Sequence, residues 1–240
     1  KTFGANAFAL GWLMAIYSVA QFAFSPLWGG LSDRFGRRRI LLLTILGGSL
    51  CMAGTAIAQT YTALFVARLL AGCFGANIST AAAYIADITP PKDRAKGMGI
   101  IGAGYGLGFI FGPALGGILS FGGYALPILV AAGLGAANFV FAYFVLKESR
   151  VPGASPIGTG KKVSLIGLRQ AFASGRTSVP IGLFFLGTLA FTQLEVVFGL
   201  FVLDRFGLGA KDAGWLLAGV GLISALLQGG LIGRLAKRFG

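Results

Sequence analysis

Two charged residues stand inside long apolar stretches of this chain, where an ionised side chain is costly unless it meets water or a partner. Glu195 is the acid deepest within such a stretch, and low-dielectric surroundings favour the neutral, protonated form of a carboxyl group. Arg68 lies about 9 Å from the nearer end of its own stretch. Glu195 is therefore predicted to exchange a proton. The alternatives are a structural, hydrogen-bonded Glu195 and an Arg68 whose side chain reaches toward the membrane surface.

Polar and aromatic residues near these charges form the predicted lining of a substrate site. They surround Glu195 in sequence or stand in the other apolar stretches: Thr192, Gln193, Phe198, Asn77 and Tyr105. A mixed lining of this kind suits a small compound with both polar and apolar surface.

Apart from Glu195 and Arg68, several charged residues are concentrated in one short segment, Gly29–Arg39, where a single acid stands among four arginines. Glycines allow a tight turn, and an acid among arginines can form an ion-pair latch that opens and closes as helices move. We predict the pairs Arg37–Asp87 and Asp33–Arg94. The full set assigned to this latch is Gly29, Asp33, Arg34, Gly36, Arg37, Asp87 and Arg94. The alternatives are a basic loop that only sets orientation and, for Asp87 and Arg94, a solvated helix cap.

Glycine recurs every fourth residue between Gly104 and Gly116, and Gly117 follows. Four residues are close to one helical turn, so Gly104, Gly108, Gly112 and Gly116 share one face and permit close helix packing in lipid. Pro113 lacks a backbone donor and is expected to bend the helix beside this face.

The elements that position these residues are predicted from composition. The chain has 240 residues, of which 56% are hydrophobic and 11% charged, and its mean hydropathy is +0.83. About 20 apolar residues in a helix cross a bilayer, and an unclosed sheet would leave backbone groups unpaired in lipid. The sequence thus predicts an all-α membrane protein with seven spans, approximately 8–30, 40–59, 62–86, 97–120, 124–146, 179–203 and 213–235.

Basic residues predict the orientation of these spans. The net charge of +13 is not gathered into a soluble patch interleaved with aromatics, so nucleic acid is not an expected partner. Most of the 20 Lys and Arg residues fall on one side when the first span runs inward. The positive-inside rule makes that side cytoplasmic. A multi-pass protein of a bacterial inner membrane is predicted, with the segment after the fifth span and the chain end in the cytoplasm.

An internal repeat predicts how the spans are organised. Gly11-Trp12-Leu13 recurs as Gly214-Trp215-Leu216, and a later Gly-Gly-Leu followed by Arg recurs about 200 residues on, so one unit holds six helices. We expect residues 1–147 to be a six-helix half without its first helix, 148–176 a cytoplasmic linker, and 177–240 the first two helices of a second half. The chain would hold helices two to eight of twelve.

These motifs resemble those of the major facilitator superfamily. Gly29–Arg39 resembles its signature loop between helices two and three, and Arg68–Ala76 its fourth-helix motif. Gly108–Gly117, which includes Gly112, Pro113 and Gly116, is similar to a motif associated with antiporters. Together with Tyr84–Pro91, the run resembles the tetracycline/proton antiporters and their drug-efflux relatives. The resemblance implies a helical bundle of this superfamily, and an Arg68 that faces the cavity and tunes proton transfer.

The predicted function is proton-coupled efflux of small amphipathic compounds or drugs by alternating access. A facilitator or symporter of the same superfamily is the alternative. A seven-helix receptor or retinal protein is a distant one, since the repeat has no place in it and no span contains a lysine for a Schiff base. The chain has no histidine, and the spans offer no metal cluster or nucleophile–base pair, so an enzyme is not expected.

No cofactor or metal is expected beyond the proton gradient as the coupling ion. Cys51 and Cys73 lie in spans without disulfide or metal spacing, and no nucleotide-binding loop is present. The expected partners are a small-molecule substrate, protons and the lipid bilayer, and the complete protein is expected to be a monomer. One departure from the family matters: a coupling acid is often found in helix one or nine, and neither is expected in this chain.

Overall fold

The computed structural model describes residues 7–149 and 175–226. Within these ranges all regular structure is helical, which confirms the predicted all-α class. The helices are α1 (Ala7–Phe35), α2 (Arg37–Ile57), α3 (Tyr61–Gly75), α4 (Ile78–Ile88), α5 (Arg94–Leu119), α6 (Ala125–Val145), α7 (Gly175–Phe206) and α8 (Ala210–Leu226). Short 3₁₀ turns at Pro91–Asp93 and Ser120–Gly122 flank α5.

Five helical segments in the described ranges have the length and apolar composition of membrane spans: Phe8–Phe35, Arg37–Ile57, Tyr61–Ile88, Pro91–Gly122 and Ala125–Val145. They coincide with the first five predicted spans. The sixth predicted span lies within α7, and the seventh begins in α8 and continues beyond the described residues. The apolar runs fix these helices because a backbone in lipid must satisfy its own hydrogen bonds.

Local residue chemistry sets the helix ends. Between α2 and α3, the Thr60 side chain accepts a hydrogen bond from the Ala63 backbone N–H at 3.1 Å and so caps α3. At the end of α7, Gly207 has φ +66 and its N–H donates to the Leu203 carbonyl at 3.0 Å, which closes the helix in a left-handed cap.

Helices α1 to α6 and α8 belong to one compact unit. Helix α7 belongs to a second unit. In the first unit α2 is central, packing on α6 and α3, while α1 packs on α3. Small side chains allow these contacts: the Ser49 hydroxyl donates to the Ala132 carbonyl at 2.7 Å, and Gly135 lies against the Ser49 side chain. Apolar side chains such as Ile40 and Leu41 are buried, and the most deeply buried side chains are the small polar residues Ser32, Thr44 and Thr80 on α1, α2 and α4.

Candidate functional site

Charged residues from four helix ends meet at one end of the bundle. We call this set the Arg37 cluster and define it as Ser32, Asp33, Arg37, Asp87 and Glu148. It forms because α1 and α2 are separated by Gly36 alone, whose φ of +100 lies in the region that favours glycine. The sharp turn places the first residue of α2 beside the last turn of α1, close to the end of α4 and to the segment after α6.

The Arg37 guanidinium binds two carboxylates and a hydroxyl. Its Nη2 lies 2.7 Å from Asp33 Oδ1, its Nε donates to Asp87 Oδ2 at 3.0 Å, and its Nη1 donates to Ser32 Oγ at 2.7 Å. Ser32 in turn donates to the Gly29 carbonyl at 2.8 Å. The Arg37 side chain is 9% exposed, against 42% for Asp33 and 33% for Asp87. The Arg37 cation is thus shielded from water, while the two carboxylates remain partly hydrated. The shielding strengthens the charge-assisted hydrogen bonds of the guanidinium, and neither carboxylate is buried without a partner.

The predicted Arg37–Asp87 pair is therefore present. Asp33, predicted to pair with Arg94, has its carboxylate on Arg37 instead, four residues along the chain. Arg94 begins α5 and is exposed. Arg34, also assigned to the latch, lies with its guanidinium 5.4 Å from the centre of the Phe35 ring, a cation–π distance.

Glu148 is a member of the cluster that sequence reasoning missed. Its Oε1 accepts from the backbone N–H of Arg37 at 2.8 Å and from that of Arg38 at 3.4 Å. The first N–H groups of a helix lack intrahelical partners and carry a partial positive charge, so a carboxylate there caps α2. One signal was available in the sequence: like Asp33, Glu148 is a single acid within a basic run, Lys147–Arg150.

Arg38, near the start of α2, in turn binds the last turn of α6. Its Nε donates to the Leu146 carbonyl at 2.8 Å and its Nη2 to the Tyr143 carbonyl at 2.6 Å, while its guanidinium lies 5.1 Å from the Tyr143 ring centre. These carbonyls belong to the last turn of a helix, where intrahelical donors are missing. The start of α2 and the end of α6 therefore cap each other. Glu148, which follows α6, binds backbone N–H groups of α2, and Arg38, on α2, binds backbone carbonyls of α6.

Glu148→Ala should weaken this junction. We expect a loss of about 1 kcal/mol in unfolding free energy, the usual effect of removing a helix cap with its charge. Glu148→Gln should lose less, because the amide oxygen still accepts from the Arg37 N–H. Unfolding of the purified protein in detergent, followed by tryptophan fluorescence, measures both. Equal losses for the two variants would show that the negative charge, rather than the acceptor atom, forms the cap.

Arg68 lies in the middle of α3 and is half-buried. No hydrogen-bond or salt-bridge partner of its guanidinium is found among the described residues. Glu195 lies in α7, but its side chain is outside the described part, so the predicted proton-coupling pair stays a prediction. Of its predicted neighbours, Thr192 and Gln193 are exposed on α7 and Phe198 is half-buried.

The third predicted span is interrupted. Instead of one helix over 62–86, α3 ends at Gly75 and α4 starts at Ile78, and Asn77 stands at the break with no capping bond from its side chain. Side chains of α1 occupy the freed carbonyls: Gln21 Nε2 donates to Gly75 O at 3.0 Å and Trp28 Nε1 to Cys73 O at 2.6 Å. Irregular backbone at membrane depth is tolerated where protein satisfies it. Asn77 therefore lies at a broken helix, while Tyr105, the other predicted lining residue, is exposed on α5.

The glycines of α5 divide into two faces. Positions Gly104, Gly108, Gly112 and Gly116 have open space where a Cβ would stand, so the predicted seam meets no close neighbour among the described residues. The close contact is made by Gly117 with α8: a Cβ on Gly214 would lie 2.6 Å from the Pro113 carbonyl and 2.9 Å from the Gly117 Cα. The seam instead borders a groove of about 250 Å³ between α5 and α6, lined by Gly112 and Gly116.

The sequence profile of the Major Facilitator Superfamily matches residues 1–240, the whole chain. The chain belongs to the Major Facilitator Superfamily. This confirms the predicted family and the helical-bundle fold. It places the chain in a superfamily of multi-pass membrane transporters and not among enzymes. Among the described residues, no group of three or more His, Cys, Asp or Glu is arranged to hold a metal ion.

Relatives within the superfamily agree with the predicted branch. The chain is 35% identical over 230 residues to the class C tetracycline resistance protein of Escherichia coli, covering 96% of this chain and 58% of that protein. It is 30% identical over 233 residues to multidrug resistance protein 1 of Bacillus subtilis (strain 168), covering 97% and 59%. The chain thus spans less than two thirds of the length of these relatives.

Solved structures show the same fold. The human organic anion transporter MFSD10 (TETRAN) superposes with a TM-score of 0.68 at 30% identity, over 92% of this chain and 56% of that one. A bacterial homologue of the human lysosomal transporter Spinster superposes with a TM-score of 0.66 over 98% of this chain and 65% of that one. At 18% identity the second likeness concerns the fold alone.

Proposed function

We propose that this chain is part of a drug-efflux antiporter that exports small amphipathic compounds in exchange for protons by alternating access. The observation that carries the proposal is the Arg37 cluster, which ties together the ends of α1, α2, α4 and α6 by charge-assisted hydrogen bonds. The relatives described as tetracycline and multidrug resistance proteins support the efflux of drugs. The coupling ion is the proton, and the complete protein acts as a monomer.

The cluster acts as a gate on the cytoplasmic side of a bacterial inner membrane, the side on which linker 148–176 and the chain end lie. Arg37 holds Asp33 from its own hairpin and Asp87 from α4, so separating these helices must break at least one ionic contact. Such contacts are short and directional, and they exist in two discrete arrangements, made or broken. A gate of this kind holds one orientation of the cavity until substrate or proton binding favours the other.

Proton coupling is assigned to Glu195 and Arg68. A carboxyl group at membrane depth changes its charge when it binds a proton, and a positive charge favours the ionised form of a carboxyl group. The half-buried Arg68, without a partner among the described residues, is suited to a changing partner rather than to a permanent ion pair.

The test uses the full-length protein in inverted membrane vesicles that hold a proton gradient. Tetracycline should drive protons out of the lumen, and Arg68→Ala and Glu195→Gln should each reduce this exchange at least about tenfold, the effect of losing one charged partner. Arg39→Ala, at an exposed position outside the cluster, is the control and should leave exchange intact.

Collapsing the proton gradient separates the antiporter from the alternative facilitator. Net export against a concentration gradient should stop when an uncoupler is added, whereas a facilitator would continue to equilibrate its substrate. Transport by Glu195→Gln with an unchanged pH dependence would remove Glu195 from the coupling role.

A further inference from the structure

The break between α3 and α4 replaces helical hydrogen bonds with contacts to α1. In a continuous helix each carbonyl accepts from the N–H four residues on, so Gly75 O would accept from Ser79 N and Cys73 O from Asn77 N. At the break, Gln21 and Trp28 donate to these two carbonyls. The interrupted form is therefore stabilised by donors that a continuous helix would not need.

One side chain on α4 lacks its bond in this form. Thr80 is 0% exposed, and its Oγ1 is the buried side-chain atom that has no hydrogen-bond partner in the described part of the chain. Two other threonines show what is missing: Thr44 Oγ1 donates to Ile40 O and Thr55 Oγ1 to Cys51 O, each at 2.9 Å and four residues back. For Thr80 the corresponding carbonyl is that of Ala76, which lies at the break. A buried hydroxyl without a hydrogen-bond partner is destabilising, so Thr80 Oγ1 lowers the stability of the interrupted form.

We propose that α3 and α4 alternate between this interrupted form and a continuous helix, and that Gln21, Trp28 and Thr80 are positioning residues that set the balance. In the continuous form the Thr80 hydroxyl donates to Ala76 O, and Gly75 O accepts from Ser79 N–H. Gln21 and Trp28 then release their carbonyls. Each form satisfies a different set of groups, which is the condition for two discrete states rather than gradual bending.

The half expected to move is α4, whose bonds to α1 beside the break, between Ser79 and Ser25, are long at 3.3 and 3.4 Å. Helix α3 is held against α1, because Gly72 packs on the Tyr17 carbonyl and a Cβ on Gly75 would lie 2.8 Å from the Tyr17 hydroxyl. Helix α4 carries Asp87 near its end, where it bonds Arg37. A change in the direction of α4 would therefore move the Asp87 carboxylate relative to the guanidinium. The switch would connect the middle of the span that carries Arg68 to the Arg37 cluster, and this link to transport rests on the proposed function.

The test is a distance measurement across the break by electron paramagnetic resonance. Spin labels are attached to Val66→Cys on α3 and Ile88→Cys on α4, both exposed, in full-length protein with Cys51 and Cys73 replaced by alanine, in lipid nanodiscs. A continuous helix would separate the two Cα atoms by about 33 Å, since 22 residues rise about 1.5 Å each. We expect two populations, the longer near this value.

The variants should move the populations in opposite directions. Gln21→Leu and Trp28→Phe remove donors used only by the interrupted form, so each should raise the ratio of long to short distances roughly three- to tenfold. Thr80→Val removes the hydroxyl that the interrupted form leaves unsatisfied, so it should lower that ratio by a similar factor. Thr44→Val is the matched control: Thr44 is equally buried and already bonded within its own helix, so its replacement should leave the ratio unchanged.

A single distance common to all variants would overturn the proposal, as would a shift by Thr80→Val in the same direction as Gln21→Leu. The transport assay is read separately. Opposite shifts in a protein that exchanges no protons would retain the switch and reject the proposed function, whereas active exchange with one fixed distance would do the reverse.

Discussion

Arg37→Ala should destabilise the protein by about 2–4 kcal/mol, more than any other substitution in the Arg37 cluster. The guanidinium is almost fully buried, and its removal leaves Asp33 and Asp87 facing each other without the cation between them. Breaking a fully buried ion pair costs about 3–5 kcal/mol, and the partial exposure of both acids lowers the figure here. Thermal and denaturant unfolding of the detergent-solubilised protein would measure the loss.

Two comparisons establish the cause. Arg37→Lys keeps the charge but cannot bind Asp33 and Asp87 with two separate nitrogens as the guanidinium does, so this variant should retain only part of the stability. In a double-mutant cycle, Asp87→Ala should cost less in the Arg37→Ala background than in the wild type, because its partner is already gone. Additive losses in that cycle would show that the two residues do not stabilise each other.

Gly36→Ala should be the second most damaging change. Its φ of +100 with ψ of 142 is a conformation that alanine adopts only under strain, typically about 1–3 kcal/mol. The added Cβ would also lie 2.5 Å from Glu148 Oε2 and so expel the carboxylate that caps α2. A total loss of about 2–4 kcal/mol is expected, with part of it appearing as loss of the Glu148 cap. Unfolding by denaturant measures the sum.

Gly48→Ala is the matched control for this prediction. Gly48 lies in the same helix, α2, with helical backbone and open space where a Cβ would stand. Alanine there should stabilise the protein by up to about 1 kcal/mol, since glycine is a poor helix former. If Gly36→Ala also proved neutral or stabilising, the turn between α1 and α2 would not require a left-handed residue. Combining Gly36→Ala with Glu148→Ala should cost less than the sum of the two.

The parts of the structure that follow from local chemistry could be predicted from the sequence. Spans are set by apolar length, and the tight turn predicted from the glycines of Gly29–Arg39 is present at Gly36. The Asp33–Arg37 contact, although it joins residues only four apart, was not predicted, because Asp33 was paired with Arg94. The Arg37–Asp87 pair was predicted, from the charges that stand at the ends of neighbouring spans. The family followed from motifs whose residues lie close together in the chain.

Features that depend on distant partners were out of reach. Glu148 caps a helix that begins 111 residues earlier, and nothing near it in sequence identifies that helix. The break after Gly75 depends on donors from α1, which lies 54 residues away at Gln21. Sequence periodicity identified the glycine face of α5 that is open in the described residues and not the neighbouring position, Gly117, that touches α8. Periodicity gives the spacing on one helix but not the direction in which its neighbour approaches.

The contact between α5 and α8 has a mechanical consequence. Where Gly117 and Gly214 meet, main chain lies on main chain, with no interlocking side chains at that point. Interdigitated surfaces resist sliding because side chains must change rotamer to pass one another, whereas two bare backbones offer little such resistance. At this crossing point the two helices can therefore move against each other with little steric resistance. One helix can tilt on the other at this point without a change of side-chain rotamer.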